Sequence, residues 1–116
     1  MIDDEPIVGD IVTRSLAGAA TVIVAPTLAA GRQEMTSTRF DVIVCDLNLA
    51  DGGAVELERD LRRLDPRLAE RLIVMTGGAL CAAHQQFLDA MEPRVLMKPF
   101  AAPAVRSMLA AVGGLP

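Results

Sequence analysis

Asp41-Val42-Ile43-Val44-Cys45-Asp46-Leu47-Asn48 is the stretch that decides the fold class: a nearly continuous apolar run, mostly β-branched, that ends abruptly in an acid and an amide. A short run with no apolar–polar alternation suits a strand buried on both faces, as in a parallel sheet. Three more runs have the same character: Val22-Ile23-Val24-Ala25, Arg71-Leu72-Ile73-Val74-Met75 and Arg94-Val95-Leu96-Met97. Elsewhere the apolar residues recur at helical spacing. Ile7, Val8, Ile11, Val12 and Leu16 trace one stripe; Val55, Leu57, Leu61 and Leu64 a second; Leu80, His84, Phe87, Leu88 and Met91 a third; and Val105, Met108, Leu109 and Val112 a fourth. Pro6 suits the first turn of the first helix, with Asp4 and Glu5 ahead of it where the helix dipole favours negative charge. Strand and helix in alternation predict a single α/β domain over residues 1–116, with a mostly parallel sheet and right-handed crossovers.

The 116 residues are 52% hydrophobic and 22% charged, enough apolar material for one core and too little length for two. Eleven Lys+Arg against fifteen Asp+Glu, a net charge of −4 with no basic run, argue against direct binding to nucleic acid or to an anionic membrane. The longest uncharged stretch, Ser15 to Gly31, contains Pro26 and is dominated by alanine, so it does not read as a membrane span. The opening Met-Ile-Asp-Asp-Glu lacks the basic start of a secretory signal, which points to the cytoplasm. Cys45 and Cys81 have no metal-ligand spacing and are expected to be reduced. His84 lies in a helical stripe without a partner in sequence and reads as packing or surface.

In an open parallel sheet the ligand crevice lies at the carboxyl ends of the strands. Standing there are Asp3, Asp4 and Glu5; Asp46 and Asn48; Thr76, Gly77 and Gly78; and Lys98, Pro99 and Phe100. Carboxylates are hard oxygen ligands suited to Mg²⁺, while a hydroxyl and an ammonium would hold the oxygens of a phosphoryl group. Ten of the eleven basic residues are arginine, so Lys98 is the only lysine, at the one place where a compact point charge is of use.

The set Ile2-Asp3-Asp4-Glu5-Pro6, Val42 to Leu49, Ile73-Val74-Met75-Thr76-Gly77 and Lys98-Pro99-Phe100 resembles the response-regulator receiver domain of two-component signalling, over nearly the whole chain. That resemblance implies a flavodoxin-like, doubly wound, five-stranded parallel sheet in the order 2-1-3-4-5. It implies that Asp46 accepts a phosphoryl group from the phosphohistidine of a histidine kinase or histidine phosphotransfer domain, with Mg²⁺. Asp3, Asp4, Asp46 and the backbone carbonyl of Asn48 would form the metal site, and Thr76, the Gly77 amide and Lys98 would meet the phosphoryl oxygens. The chain would then be a signalling receiver and not an enzyme on an external substrate. Val95 stands where receivers often carry an aromatic residue, and Ala50 and Ala54 replace a common proline and glycine, with Gly52 and Gly53 nearby. The segments around Thr76 and Lys98 are similar to receivers at the end of hybrid histidine kinases, so a larger hybrid kinase is a possible parent.

Two alternatives use the same residues: a degenerate pseudo-receiver that serves as a docking module, and a haloacid-dehalogenase-like phosphatase. The second would place an acid two residues after its nucleophile, where this chain has Asn48. Only Met1 and Ile2 precede Asp3, so the first strand is expected to be truncated, leaving its neighbours without ladder partners beside an open slot, with Met1 an internal position of a longer strand. After the last helix the chain ends at Gly113-Gly114-Leu115-Pro116, so output is expected through a partner or a longer parent chain.

Overall fold

The computed structural model describes residues 1–79 and 81–113. Three strands, β1 (Ile43–Asp46), β2 (Leu72–Thr76) and β3 (Val95–Met97), form a parallel sheet in the order β1-β2-β3. The helices are α1 (Pro6–Ser15), α2 (Leu28–Ser37), α3 (Ala54–Leu64), the single turn α4 (Pro66–Ala69), α5 (Ala82–Met91) and α6 (Ala102–Ala111). Leu80 of the third stripe and the closing residues 114–116 lie outside the described residues.

Two further segments extend the sheet past β1 by one bridge each. Ile2 pairs in parallel with Cys45 on one side and with Ala25 on the other, so the order across the sheet is Ala25, Ile2, β1, β2, β3. This is the flavodoxin-like α/β arrangement, with its two outer segments reduced to single bridges. The expected strand over Val22–Ala25 is therefore present only at Ala25, because a ladder needs a partner and only Met1 to Asp3 run alongside. The stub does more than expected for its length. The Ile2 amide donates to the Val44 carbonyl at 2.7 Å, the Asp46 amide to the Ile2 carbonyl at 2.9 Å, and the Asp3 amide to the Ala25 carbonyl at 3.0 Å.

Alternate strand residues feed two cores on opposite faces. Ile43, Cys45, Leu72 and Val74 pack with Leu28, Leu57, Leu61, Leu68, Leu88 and Met91 of α2 to α5. Val44, Ile73, Met75 and Leu96 pack with Val12 and Leu16 from α1 and its end, and with Val105 and Leu109 of α6. Both faces being covered is why these strands read as unbroken apolar runs. The first helical stripe is narrower than its sequence implies. Val12 and Leu16 are buried, but Ile7 is 73% exposed and Ile11 is 38% exposed, since the seat for α1 admits only the face carrying Gly9, Val12 and Ser15. Among the described residues no helix is long and apolar enough to cross a membrane.

The slot lies just beyond the stub. Met1, Val12, Leu16, Val22, Val42 and Leu109 line a cavity of about 400 Å³, and the Met1 amine at its edge donates to the Ile23 carbonyl at 2.8 Å. Burial lowers the pKa of that amine. Extending the chain at its start by four or five apolar residues is expected to raise the denaturation midpoint, since each side chain filling the slot contributes roughly 1.5–3 kcal/mol before entropy is subtracted. Equal midpoints for the two chains in urea would show that the slot does not accept a strand.

Candidate functional site

Each candidate residue leaves the sheet at the same edge because parallel strands all end there. Asp3 follows the Ile2 bridge, Asp46 is the last residue of β1, Thr76 the last of β2, and Lys98 follows β3 directly. The register Asp46 to Met75 and Thr76 to Met97 sets these ends side by side.

Lys98 draws them together. Its Nζ lies 2.8 Å from Asp3 Oδ2, 3.1 Å from Asp46 Oδ2 and 3.0 Å from Glu5 Oε1. Asp3 and Asp46 are buried, whereas Asp4 and Glu5 are exposed at the rim. One carboxylate oxygen from each of Asp3, Asp4, Glu5 and Asp46 falls within 4.8 Å of the others. Burial pushes the Asp46 carboxyl above its ordinary pKa, against the opposing pull of Lys98 and of the Asn48 amide. For Lys98, burial works to lower the pKa, but the hydrogen bonds to Asp3, Glu5 and Asp46 outweigh it and hold the ammonium above its ordinary value. The lysine is charged at any physiological pH.

The loops complete the pocket. The Asn48 amide lies 3.4 Å from Asp46 Oδ1, which orients the carboxylate. Thr76 is buried, and its hydroxyl is engaged by its own loop, accepting from the Gly78 amide at 2.9 Å and donating to the Gly78 carbonyl at 3.0 Å. Gly77 is exposed, and a Cβ added there would meet open space, so its glycine leaves the rim clear without being required by packing. After Asp46 the turn is closed by reciprocal Leu49 and Gly52 backbone bonds, with Gly52 at φ +123° in the region that favours glycine. Gly53 has a sharper requirement: a Cβ there would stand 2.0 Å from the Leu47 carbonyl oxygen. Beneath the site, burial and then the Asp46 charge push the Cys45 thiol up to about 12, so it stays protonated as core.

Asp3, Asp4, Glu5, Asp46, Asn48 and Lys98 therefore meet at one place, with Thr76 and Gly77 at the end of the neighbouring strand. Two residues named in the sequence have roles that only the structure shows. Glu5 is the third acid on Lys98, and its only signal was its position beside the acidic pair. Gly53 is held by a close backbone approach that no spacing reveals. Four clustered carboxylates, three of them paired with one ammonium, form a hard, oxygen-rich donor set with excess negative charge, which fits Mg²⁺.

The comparisons with known proteins bear on the family and the fold. A family model described as the response regulator receiver domain matches residues 1–110. No curated protein matches the chain. Among solved structures, a CheY-like response regulator receiver domain protein from Methanospirillum hungatei JF-1 is 24% identical, with TM-score 0.80, covering 95% of this chain and 87% of the other. A two-component response regulator from Clostridium difficile is 18% identical, with TM-score 0.79, covering 96% and 90%. RcsB from Salmonella enterica serovar Typhimurium, solved bound to promoter rprA in the presence of the phosphomimetic BeF3−, is 24% identical, with TM-score 0.78, covering 96% and 94%. At these identities the likeness is one of fold.

The electrostatics predict two stability effects. Because the folded state raises the Asp46 pKa, its ionised form weighs against folding. Without divalent cations, Asp46→Asn is expected to raise the thermal midpoint at neutral pH, and the gain should disappear once the pH falls below the ordinary carboxylate value of about 3.9. A lower midpoint at pH 7 would contradict this. Mg²⁺ is expected to stabilise the native chain, by about 2.7 kcal/mol at a hundredfold excess over Kd, and to stabilise Asp4→Asn less. Equal gains in both chains would remove Asp4 from the metal site.

Proposed function

The chain belongs to the response regulator receiver domain family, and on that premise we propose that Asp46 is the phosphoacceptor of a two-component phosphorelay. The observation that carries this reading is the Lys98 ammonium, held 3.1 Å from Asp46 Oδ2 and 2.8 Å from Asp3 Oδ2. A carboxylate attacks an anionic phosphoryl group only where positive charge offsets the repulsion.

The donor is the phosphohistidine of a histidine kinase or histidine phosphotransfer domain. An Asp46 carboxylate oxygen bonds to phosphorus, the phosphorus–nitrogen bond breaks, and its electron pair stays with the imidazole, giving an acyl phosphate. Lys98 meets the developing charge on the phosphoryl oxygens. Asp3, Asp4, Asp46 and the Asn48 backbone carbonyl would hold Mg²⁺, which supplies further charge neutralisation when bound. The exposed Gly77 amide is available to the same oxygens.

Thr76 links the chemistry to a signal. Its hydroxyl is spent on Gly78 in the unphosphorylated chain, and turning it to a phosphoryl oxygen gives up both Gly78 bonds and frees the loop that leads into α5. The conformational readout therefore runs through this loop more than through a side-chain flip at Val95. Supporting a partner site on the adjoining face, Cys81, Ala82, Gln85 and Gln86 are exposed, Met97 is 53% exposed on β3, and a shallow apolar groove runs between Val95, Met97, Phe100 and Met108. The module works in the cytoplasm, alone or as part of a larger hybrid kinase.

Incubation with Mg²⁺ and acetyl phosphate is expected to produce hydroxylamine-labile phosphate on the native chain and none on Asp46→Asn. Full labelling of that variant would overturn the assignment. Lys98→Ala and Thr76→Ala should stay folded, with Lys98→Ala losing roughly 10²-fold or more in rate, the loss typical for one charge-stabilising group. Thr76→Ala should keep its labelling and lose the shifts of residues 79–91. Shifts confined to the neighbourhood of Asp46 in the native chain would refute the loop pathway.

A further inference from the structure

We propose that Glu5 is a positioning residue that competes with the incoming phosphoryl group for Lys98 and so sets how readily Asp46 is phosphorylated; this rests on the reading of Asp46 as phosphoacceptor. Lys98 is bound as closely by Glu5, at 3.0 Å, as by Asp3 and Asp46, yet the three carboxylates differ in setting. Asp3 and Asp46 are buried and fixed by the sheet, whereas the Glu5 side chain is 60% exposed and free to swing into solvent.

The backbone fixes where Glu5 starts. Pro6 restricts the residue before it to extended conformation, and Glu5 sits at φ −94°, ψ 109°, at the head of α1. Its amide donates to Asp3 Oδ1 at 2.8 Å. The main chain of Glu5 thus orients Asp3 while its side chain draws Lys98 towards the rim. These roles are separable, because replacing the side chain leaves the amide in place.

The competition follows from charge. Four carboxylates cluster beside one ammonium that pairs with three of them, so the rim carries excess negative charge that repels an anionic donor. Of the four, Glu5 takes a third of the lysine's close contacts, and it lies in the acidic cluster without being one of the residues proposed to hold Mg²⁺. A phosphoryl group on Asp46 must win Lys98 from Glu5 before the lysine can neutralise it. Glu5 is accordingly a brake on phosphorylation that costs the fold little, since exposed ion pairs contribute little to stability.

The test compares the native chain with Glu5→Gln and Glu5→Asp, and with the half-buried Glu34→Gln as a control outside the site. With acetyl phosphate and saturating Mg²⁺, Glu5→Gln is expected to be phosphorylated about three- to tenfold faster, with a weaker salt dependence, as fits loss of one charge near a solvated site. Glu5→Asp should lie between the two, and Glu34→Gln should match the native chain. Lys98 is the only lysine, so a ¹⁵N label on its side chain gives a single signal that should move in metal-free Glu5→Gln and stay put in Glu34→Gln. Native labelling at Asp46 with an unchanged or slower rate in Glu5→Gln would overturn the proposal alone. A lysine signal unmoved by Glu5→Gln would overturn it without any phosphorylation. Failure of the native chain to label at all would remove the phosphoacceptor reading and this proposal together.

Discussion

One ammonium answers several carboxylates, and the edge of this sheet is organised around that imbalance. Lys98 reaches Asp3, Glu5 and Asp46 from the end of the last strand, tying together residues separated by up to 95 positions in sequence. Buried acids are tolerated only when paired, and here a single group pairs the two buried ones. Burial still leaves Asp46 with a raised pKa, so the pairing is incomplete and the site is short of positive charge. The clustered carboxylate oxygens are a donor set that fits a divalent cation.

The sheet makes the arrangement possible. Parallel strands all end at one edge, and the register sets Asp46 and Thr76 on adjacent ends. The stub Met1 to Asp3 is short but central, bonded to Val44 and Asp46 on one side and Ala25 on the other, so it delivers Asp3 to the same edge. The turn after Asp46 depends on Gly53, whose Cα approaches the Leu47 carbonyl too closely for any side chain. The site is thus a product of the ladder on one side and a tight loop on the other.

Much of this was legible in the sequence because burial on both faces erases alternation and leaves the apolar runs ending in Asp46, Thr76 and Lys98. What the runs could not show was pairing. Val22 to Ala25 has strand composition, but a ladder depends on a neighbour, and only Ala25 has one. Helix α2 was signalled only at its start, by the end of the uncharged stretch at Gly31, since it buries only Leu28 and Gly31 and has almost no apolar stripe. Ile7 and Ile11 gave the opposite error, because helical spacing reports which residues share a face and not how wide the seat for that face is. Glu5 was placed at the strand end, but its contact with Lys98 was not legible for a related reason: a charge beside a helix start is ordinary, and only the fold brings Lys98 to it.

The central claim is that Lys98 and the buried acids are energetically coupled, and a double-mutant cycle reads that coupling directly. Urea denaturation of the native chain, Lys98→Met, Asp3→Asn and the double variant, in the absence of divalent cations, gives the interaction energy between the two sites. The two losses are expected not to be additive, with a favourable coupling of about 1 kcal/mol or more for a pair this buried. Additive losses would mean that Lys98 does not hold the edge of the sheet together.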